Sequence, residues 1–198
     1  MPMPEVRTSL QWTVIANPFP GQRAPSGRWA VFQEGGRIVA ALLDPCRQSR
    51  EALVVGRSAA LLSAPGVDPA ERFHRLHRAL SGTQGASLAI VELDADRSRL
   101  SFYGLGAIRA RIDASGDSIW LESAPGLLGV GRPVIPSRVD ASWPPDAALL
   151  LVSDGVVERW PLDTIPPAAA MPPEVFAAEV TALLGRLPDD GVMLVLRA

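Results

Sequence analysis

At 198 residues, 47% hydrophobic and 20% charged, the chain is long enough to bury one sizeable core, and a single domain over residues 1–198 is expected. A net charge of −2 without a basic run excludes the clustered phosphate-neutralising surface of a nucleic-acid partner. Cys46 is the only cysteine, which excludes an internal disulfide framework, and no run approaches the ~20 apolar residues of a membrane span. The N-terminal MPMPEVRTSLQW lacks the basic start and apolar core of a signal peptide, so the expectation is a cytoplasmic chain with no membrane partner.

Three apolar, β-forming runs come first: QWTVIA (11–16), RWAVFQ (28–33) and RIVAALL (37–43), separated by Pro/Gly punctuation, and they are predicted strands. From Gln48 to Ala64 the period changes to helical, with Ala52, Leu53, Val55, Gly56, Ala59, Ala60 and Leu62 predicted to form a broad buried face. Asp68 followed by Pro69 marks the start of a second helix reaching about Leu80, with Phe73, Leu76 and Leu80 inward and Arg72, Arg75 and Arg78 on the opposite side. After Ser81-Gly82 the period falls to two. ASLAIVEL (86–93), RLSFYG (99–104), AIRARI (107–112) and SIWLE (118–122) are expected to form an antiparallel meander. Residues 123–147 are predicted as a long loop and ALLLV (148–152) as a buried strand. A Pro-rich segment from Pro161 to Pro173, a helix PEVFAAEVTALLGRL and a closing strand VMLVLR complete the chain. This order predicts an α+β fold of antiparallel sheets with helices packed outside.

Three apolar runs adjoin a carboxylate in a Gly/Pro turn: Asp44 in LLDP, Asp154 in LLLVSDG, and Asp189 with Asp190 in PDDGVMLVL. Taken singly, each acid reads as a turn-former or helix cap. Taken together, carboxylates on separate strand ends are what a hard cation such as Mg2+ or Mn2+ requires.

The order of ALLDPCRQSREA, GTQGASLAIVELD, LSFYGLGAIRARI, GLLGVG, ALLLVSDGVVE and PDDGVMLVL resembles the metal-dependent PP2C-type (PPM) serine/threonine phosphatases, in particular their bacterial SpoIIE/RsbX branch. The resemblance implies a four-layer α-β-β-α sandwich, two antiparallel sheets flanked by helices, with a two-ion Mn2+ or Mg2+ centre at one edge. The implied reaction is hydrolysis of phosphoserine or phosphothreonine on a regulatory partner, for the RsbX branch a STAS-domain protein of a stress or sigma-factor switch. Asp44 matches the acid that bridges both ions, and Pro45 stands where the family has a glycine whose carbonyl contacts one of them. Asp154 matches the acid of the Ser/Thr-Asp-Gly motif, and Asp189 and Asp190 the late Asp-Asp pair, with Asp189 at the usual ligand position. Asp44, Asp154 and Asp189 therefore carry the implied catalytic centre, whose ion would lower the pKa of bound water.

The departures are equally specific. Arg28 follows Gly27 where the family has an acid for the second ion, and Pro45-Cys46-Arg47-Gln48-Ser49 replaces a glycine-rich loop. Gly104-Leu105-Gly106-Ala107 lacks the family's asparagine. One ion site keeps its three acids, whereas the second has lost one, and Arg28 is expected to pair with Asp44. A catalytically weak or inactive phosphatase-like binding module is accordingly the alternative function. His74 and His77 are read as part of a solvated face, Cys46 as a loop residue and Gly126–Gly131 as a structural loop, while Trp143 and Trp160 would stiffen loops or offer contact surface.

Overall fold

The computed structural model describes residues 10–18, 26–34, 36–46, 51–94, 96, 98–114, 116–132, 135–157, 167–184 and 191–197. Its strands are β1 (Gln11–Asn17), β2 (Arg28–Glu34), β3 (Arg37–Pro45), β4 (Ala86–Asp94), β5 (Arg99–Leu105), β6 (Arg109–Ala114), β7 (Asp117–Leu121), β8 (Ser137–Ser142), β9 (Ala148–Val152) and β10 (Gly191–Arg197). Helices α1 (Glu51–Leu62) and α2 (Pro69–Ala79) lie between β3 and β4, and α3 (Asp154–Val157) and α4 (Pro173–Leu184) between β9 and β10.

The strands form two five-stranded antiparallel sheets, ordered β1-β10-β9-β6-β7 and β2-β3-β4-β5-β8. Alternation along each strand sends one set of side chains between the sheets, where Leu42, Val91 and Phe102 of the second sheet share a core with Ile112, Leu149 and Leu194 of the first. The opposite set meets helices. Leu43, Leu88 and Ile90 pack with Phe73, Leu76 and Leu80 of α2 and its C-terminal cap, while Leu150, Val152 and Val195 pack with Phe176 and Val180 of α4. The expected α-β-β-α layering is what these three clusters build.

The second helix starts as its sequence dictates, with the Asp68 side chain accepting from the Ala70 and Glu71 backbone N–H groups at 2.9 and 3.4 Å. In α1 the described buried residues are Val54, Ser58 and Leu62, and Gly56, Ala59 and Ala60 face solvent, so the buried stripe is narrower than expected. Arg72 corrects the reading of a solvated arginine face. It is buried and donates to the carbonyls of Leu61, Leu62, Ala64 and Val67 at 2.8–3.1 Å, closing the C-terminal end of α1.

The expected single meander divides between the sheets. β4 and β5 pair in one, β6 and β7 in the other, because the chain crosses over at Gly106, whose φ of +89° only glycine adopts without strain. Periodicity identifies each segment as a strand but not its neighbour. The vacant edge of β5 is taken by β8, inside the segment expected to be a loop. β8 escapes notice because SRVDAS offers only Val139 and Ala141 as its apolar side. Trp143 is buried in the inter-sheet core rather than offered as contact surface, since its backbone N–H joins the Ser98 carbonyl and draws the ring inward. Trp160 lies outside the described residues.

Candidate functional site

Both sheets converge at the edge where β3 and β9 end. Asp44 is the penultimate residue of β3, paired with Ser87 of β4, and only 8% exposed. Pro45 follows as the last β3 residue, opposite Ala86, where an imino nitrogen costs the strand little at its terminus. Asp154 opens α3 immediately after Ser153, so its carboxylate stands in the first turn of a helix rather than in the simple Asp-Gly turn the dipeptide suggests. Ser153 ties this segment to β10. Its N–H donates to the Val192 carbonyl at 3.0 Å, and its Oγ accepts from the Val192 N–H at 2.9 Å. A Cβ on Gly27 would come 2.8 Å from Val192 Cγ2, so the start of β2 in one sheet and β10 of the other touch here, with no room for a side chain.

Asp44 and Asp154, from different sheets, share an electrostatic neighbourhood. Burial pushes the Cys46 thiol above its ordinary pKa, and the negative charges of Asp154 and Asp44 push it further in the same direction. A raised pKa makes Cys46 a poor thiolate, in keeping with its expectation as a loop residue. Its N–H is held by the Gly85 carbonyl at 3.0 Å. Asp189 and Asp190 lie outside the described residues, and among the described residues no group of three or more His, Cys, Asp or Glu side chains forms an ion cage.

The strand register places Arg28 opposite Leu43. It therefore projects with Ala30 and Phe32 towards the helix layer, while Asp44 alternates with Leu42 towards the space between the sheets. One Arg28 Nη donates to the Gly27 carbonyl at 2.9 Å. The pleat thus directs Arg28 and Asp44 to opposite faces, which the spacing of single residues along the chain does not reveal.

Ser87, absent from the sequence reading, and His77, read there as part of a solvated face, both bear on this edge. Ser87, buried beside Asp44, accepts from the Ala107 N–H at 3.0 Å and fixes the Gly104–Ala107 turn against β4. His77 of α2 accepts at Nδ1 from the Gly129 N–H at 3.2 Å, and Leu128 exchanges backbone hydrogen bonds with Ala86. Gly126–Gly131 is thereby a structural loop, and His77 is half-buried while His74 is exposed.

Two sandwiched antiparallel sheets with outer helices, and acids at the ends of β3 and β9, define the class of PP2C-type phosphatase folds. The SpoIIE family model, described as stage II sporulation protein E, matches residues 50–198, and the chain belongs to that family. Asp154, Asp189 and Asp190 fall inside the matched span, whereas Arg28, Asp44 and Pro45 precede it. No curated protein matches the chain in sequence.

Among solved structures, one described as "The bacterial stressosome: a modular system that has been adapted to control secondary messenger signaling" is 23% identical. It covers 96% of this chain and 100% of its own, with a TM-score of 0.80. RsbX in complex with magnesium is 16% identical over 94% of each chain, with a TM-score of 0.75. The PP2C phosphatase domain of SpoIIE from Bacillus subtilis is 16% identical, covering 95% of this chain and 62% of that one, with a TM-score of 0.70. At these identities the likeness establishes the fold. No helix among the described residues is long and apolar enough to cross a membrane.

Proposed function

We propose that the chain is a protein serine/threonine phosphatase that works at a single-ion site, with Asp44, Asp154 and Asp189 as its carboxylates and Asp190 beside them. The observation that carries this reading is geometric: β3, which ends in Asp44 and Pro45, and β9, which leads into Asp154, terminate at the one edge where Gly27 of one sheet meets Val192 of the other. Mn2+ or Mg2+, when bound there, supplies Lewis acidity to a phosphoryl oxygen and acidifies water. The protein's own part is to hold charge in place. The β3–β4 ladder fixes the backbone of Asp44 through its register with Ser87, and the Ser153–Val192 hydrogen bonds fix that of Asp154.

The substrate in this reading is a phosphorylated regulatory protein, and the likeness to RsbX and to a stressosome structure supports a STAS-domain partner in a stress or sigma-factor switch. A cytoplasmic location fits that role.

Pro45 and Arg28 favour a second reading, a phosphatase-like module that binds its partner with little turnover. A close pair of dications needs excess negative charge, and the absence of an acid at position 28 withholds one of the carboxylates that would supply it, whichever face the arginine takes. Hydrolysis of p-nitrophenyl phosphate and of a phosphoserine peptide with and without Mn2+ separates the readings, using wild type, Asp154→Ala and Arg28→Asp. Mn2+-dependent turnover lost in Asp154→Ala, with one calorimetric Mn2+ site, is expected. Wild-type inactivity that Arg28→Asp restores supports the binding module, and two tight Mn2+ sites in wild type refute the single-ion proposal.

A further inference from the structure

The side of β10 that faces α4 ends on a charge. Met193 and Val195 pack with Phe176 and Val180 of α4, and the next residue on that face of the strand is Arg197. The register sets Thr13 of β1 opposite Val195, and Gln11 opposite Arg197. On its other flank Arg197 stands opposite Ala148 of β9, which offers no polar side chain.

Arg197, Val195 and Thr13 join Phe176, Leu10 and Trp12 around a groove of about 380 Å3, within the ~300–1,000 Å3 of small-molecule sites. Its walls are mostly apolar, and Trp12 is half exposed. Among the described residues no carboxylate lines the groove, and Arg197 has neither an ion-pair nor a hydrogen-bond partner. Its Nη1 is nevertheless buried. A guanidinium keeps its proton at any physiological pH, so it cannot escape the cost of an orphaned donor by neutralising, and only an acceptor removes that cost. Arg197 is the last residue of β10, and its long stem can turn the free donor into the groove.

We propose that this groove binds a small aromatic monocarboxylate, its ring against Trp12 and Phe176 and its carboxylate accepting from the Arg197 guanidinium. The ring answers the walls, since aromatic pairs in contact gain more than the area they bury. The carboxylate answers Arg197, whose planar fork donates two parallel hydrogen bonds to such a group. One cation matches one negative charge. A phosphate monoester carries a second charge, for which the groove holds no second cation, so this ligand differs in class from the substrate proposed for the edge where β3 and β9 end. The two places are also apart. Five residues of β10, about 17 Å, separate Arg197 from Val192, which is bonded to Ser153.

The test is isothermal titration calorimetry of the full chain with naphthylacetate, its neutral isostere naphthylacetamide, and acetate, which lacks the ring, in metal-free buffer at about 0.15 M salt. Wild type is expected to bind naphthylacetate at one site, about tenfold or more tighter than either comparator, the equivalent of one charge-assisted hydrogen bond. Arg197→Gln should reduce naphthylacetate to the affinity of the amide while leaving the amide unchanged, and Arg197→Lys should fall between. Trp12→Ala should weaken acid and amide alike, by about threefold. Arg138→Gln removes an exposed arginine of the other sheet and should change affinity less than about twofold. Thermal melts verify that the variants fold. The proposal is overturned if wild type shows no heat of binding with naphthylacetate, if it binds the amide as tightly as the acid, or if Arg138→Gln weakens binding as much as Arg197→Gln.

Discussion

Arg72 offers the most direct measurement of how this fold is held. Its side chain is 1% exposed, and its guanidinium donates to four carbonyls, of Leu61, Leu62, Ala64 and Val67, while lying 5.4 Å from the Phe32 ring centroid. Arg72→Met keeps much of the aliphatic volume and removes every donor. Charge-assisted hydrogen bonds contribute about 1.5–3 kcal/mol each, a gross gain of about 6–12 kcal/mol for four. Burying the cation costs several kcal/mol in return, and that desolvation is what lowers the Arg72 pKa, with Glu34 and Glu92 opposing it. The net loss expected is about 3–5 kcal/mol, because four carbonyls at and beyond the end of α1 lose their partner together. For a chain of this length each kcal/mol shifts Tm by about 2–4 °C, so a fall of roughly 10 °C is expected. Urea unfolding followed by circular dichroism measures the loss directly. Arg72→Lys should fall between, since one ammonium cannot reproduce the planar fork. A change in Arg72→Met below about 0.5 kcal/mol, the range of ordinary surface substitutions, would refute the capping role.

Gly56 sits inside α1, exposed, and an added methyl group there would meet open space, so Gly56→Ala should stabilise by about 0.5–1 kcal/mol in the same urea assay. Gly85 has the reverse situation. At φ +91° a Cβ would lie 2.7 Å from the Leu128 carbonyl oxygen, so Gly85→Ala should cost about 2–4 kcal/mol and increase Cys46 alkylation by loosening the Gly85 carbonyl's hold on its N–H. Glu92 predicts a pH dependence. Its folded pKa lies above its ordinary value, so the native state binds the extra proton, and the associated stability is present below about pH 4.5 and lost as pH rises through the folded pKa. Glu92→Gln should remove that declining component from denaturation midpoints collected across about pH 4–8.

Local signals located most of the secondary structure. The Asp68-Pro69 start of α2, the apolar run of β3 and the five apolar residues of β9 each agree with where the elements fall. β8 was hidden because an edge strand with one solvated face needs few apolar residues. The solvated-arginine reading of α2 failed at Arg72 for a different reason, since long side chains bury wherever carbonyls await them, and those carbonyls belong to another helix and the turn after it. At the candidate site, Asp44 and Asp154 were visible as acids ending apolar runs. Ser87 was not, because its importance comes from strand pairing with Asp44, a residue far from it along the chain.

By itself the amino-acid sequence determined the elements with strong periodicity and the residue types at the strand ends, because period, capping chemistry and turn dipeptides act over a few neighbouring residues. Its co-linear motifs also pointed to the PP2C-type family and its layering. Tertiary structure alone decided which strands pair, that β5 and β6 belong to different sheets, and that the two sheets meet where Gly27 touches Val192, at the edge where β3 and β9 end. It also sent Arg28 and Asp44 to opposite faces of one sheet, since a pleat converts register into direction and register is set only when distant strands meet.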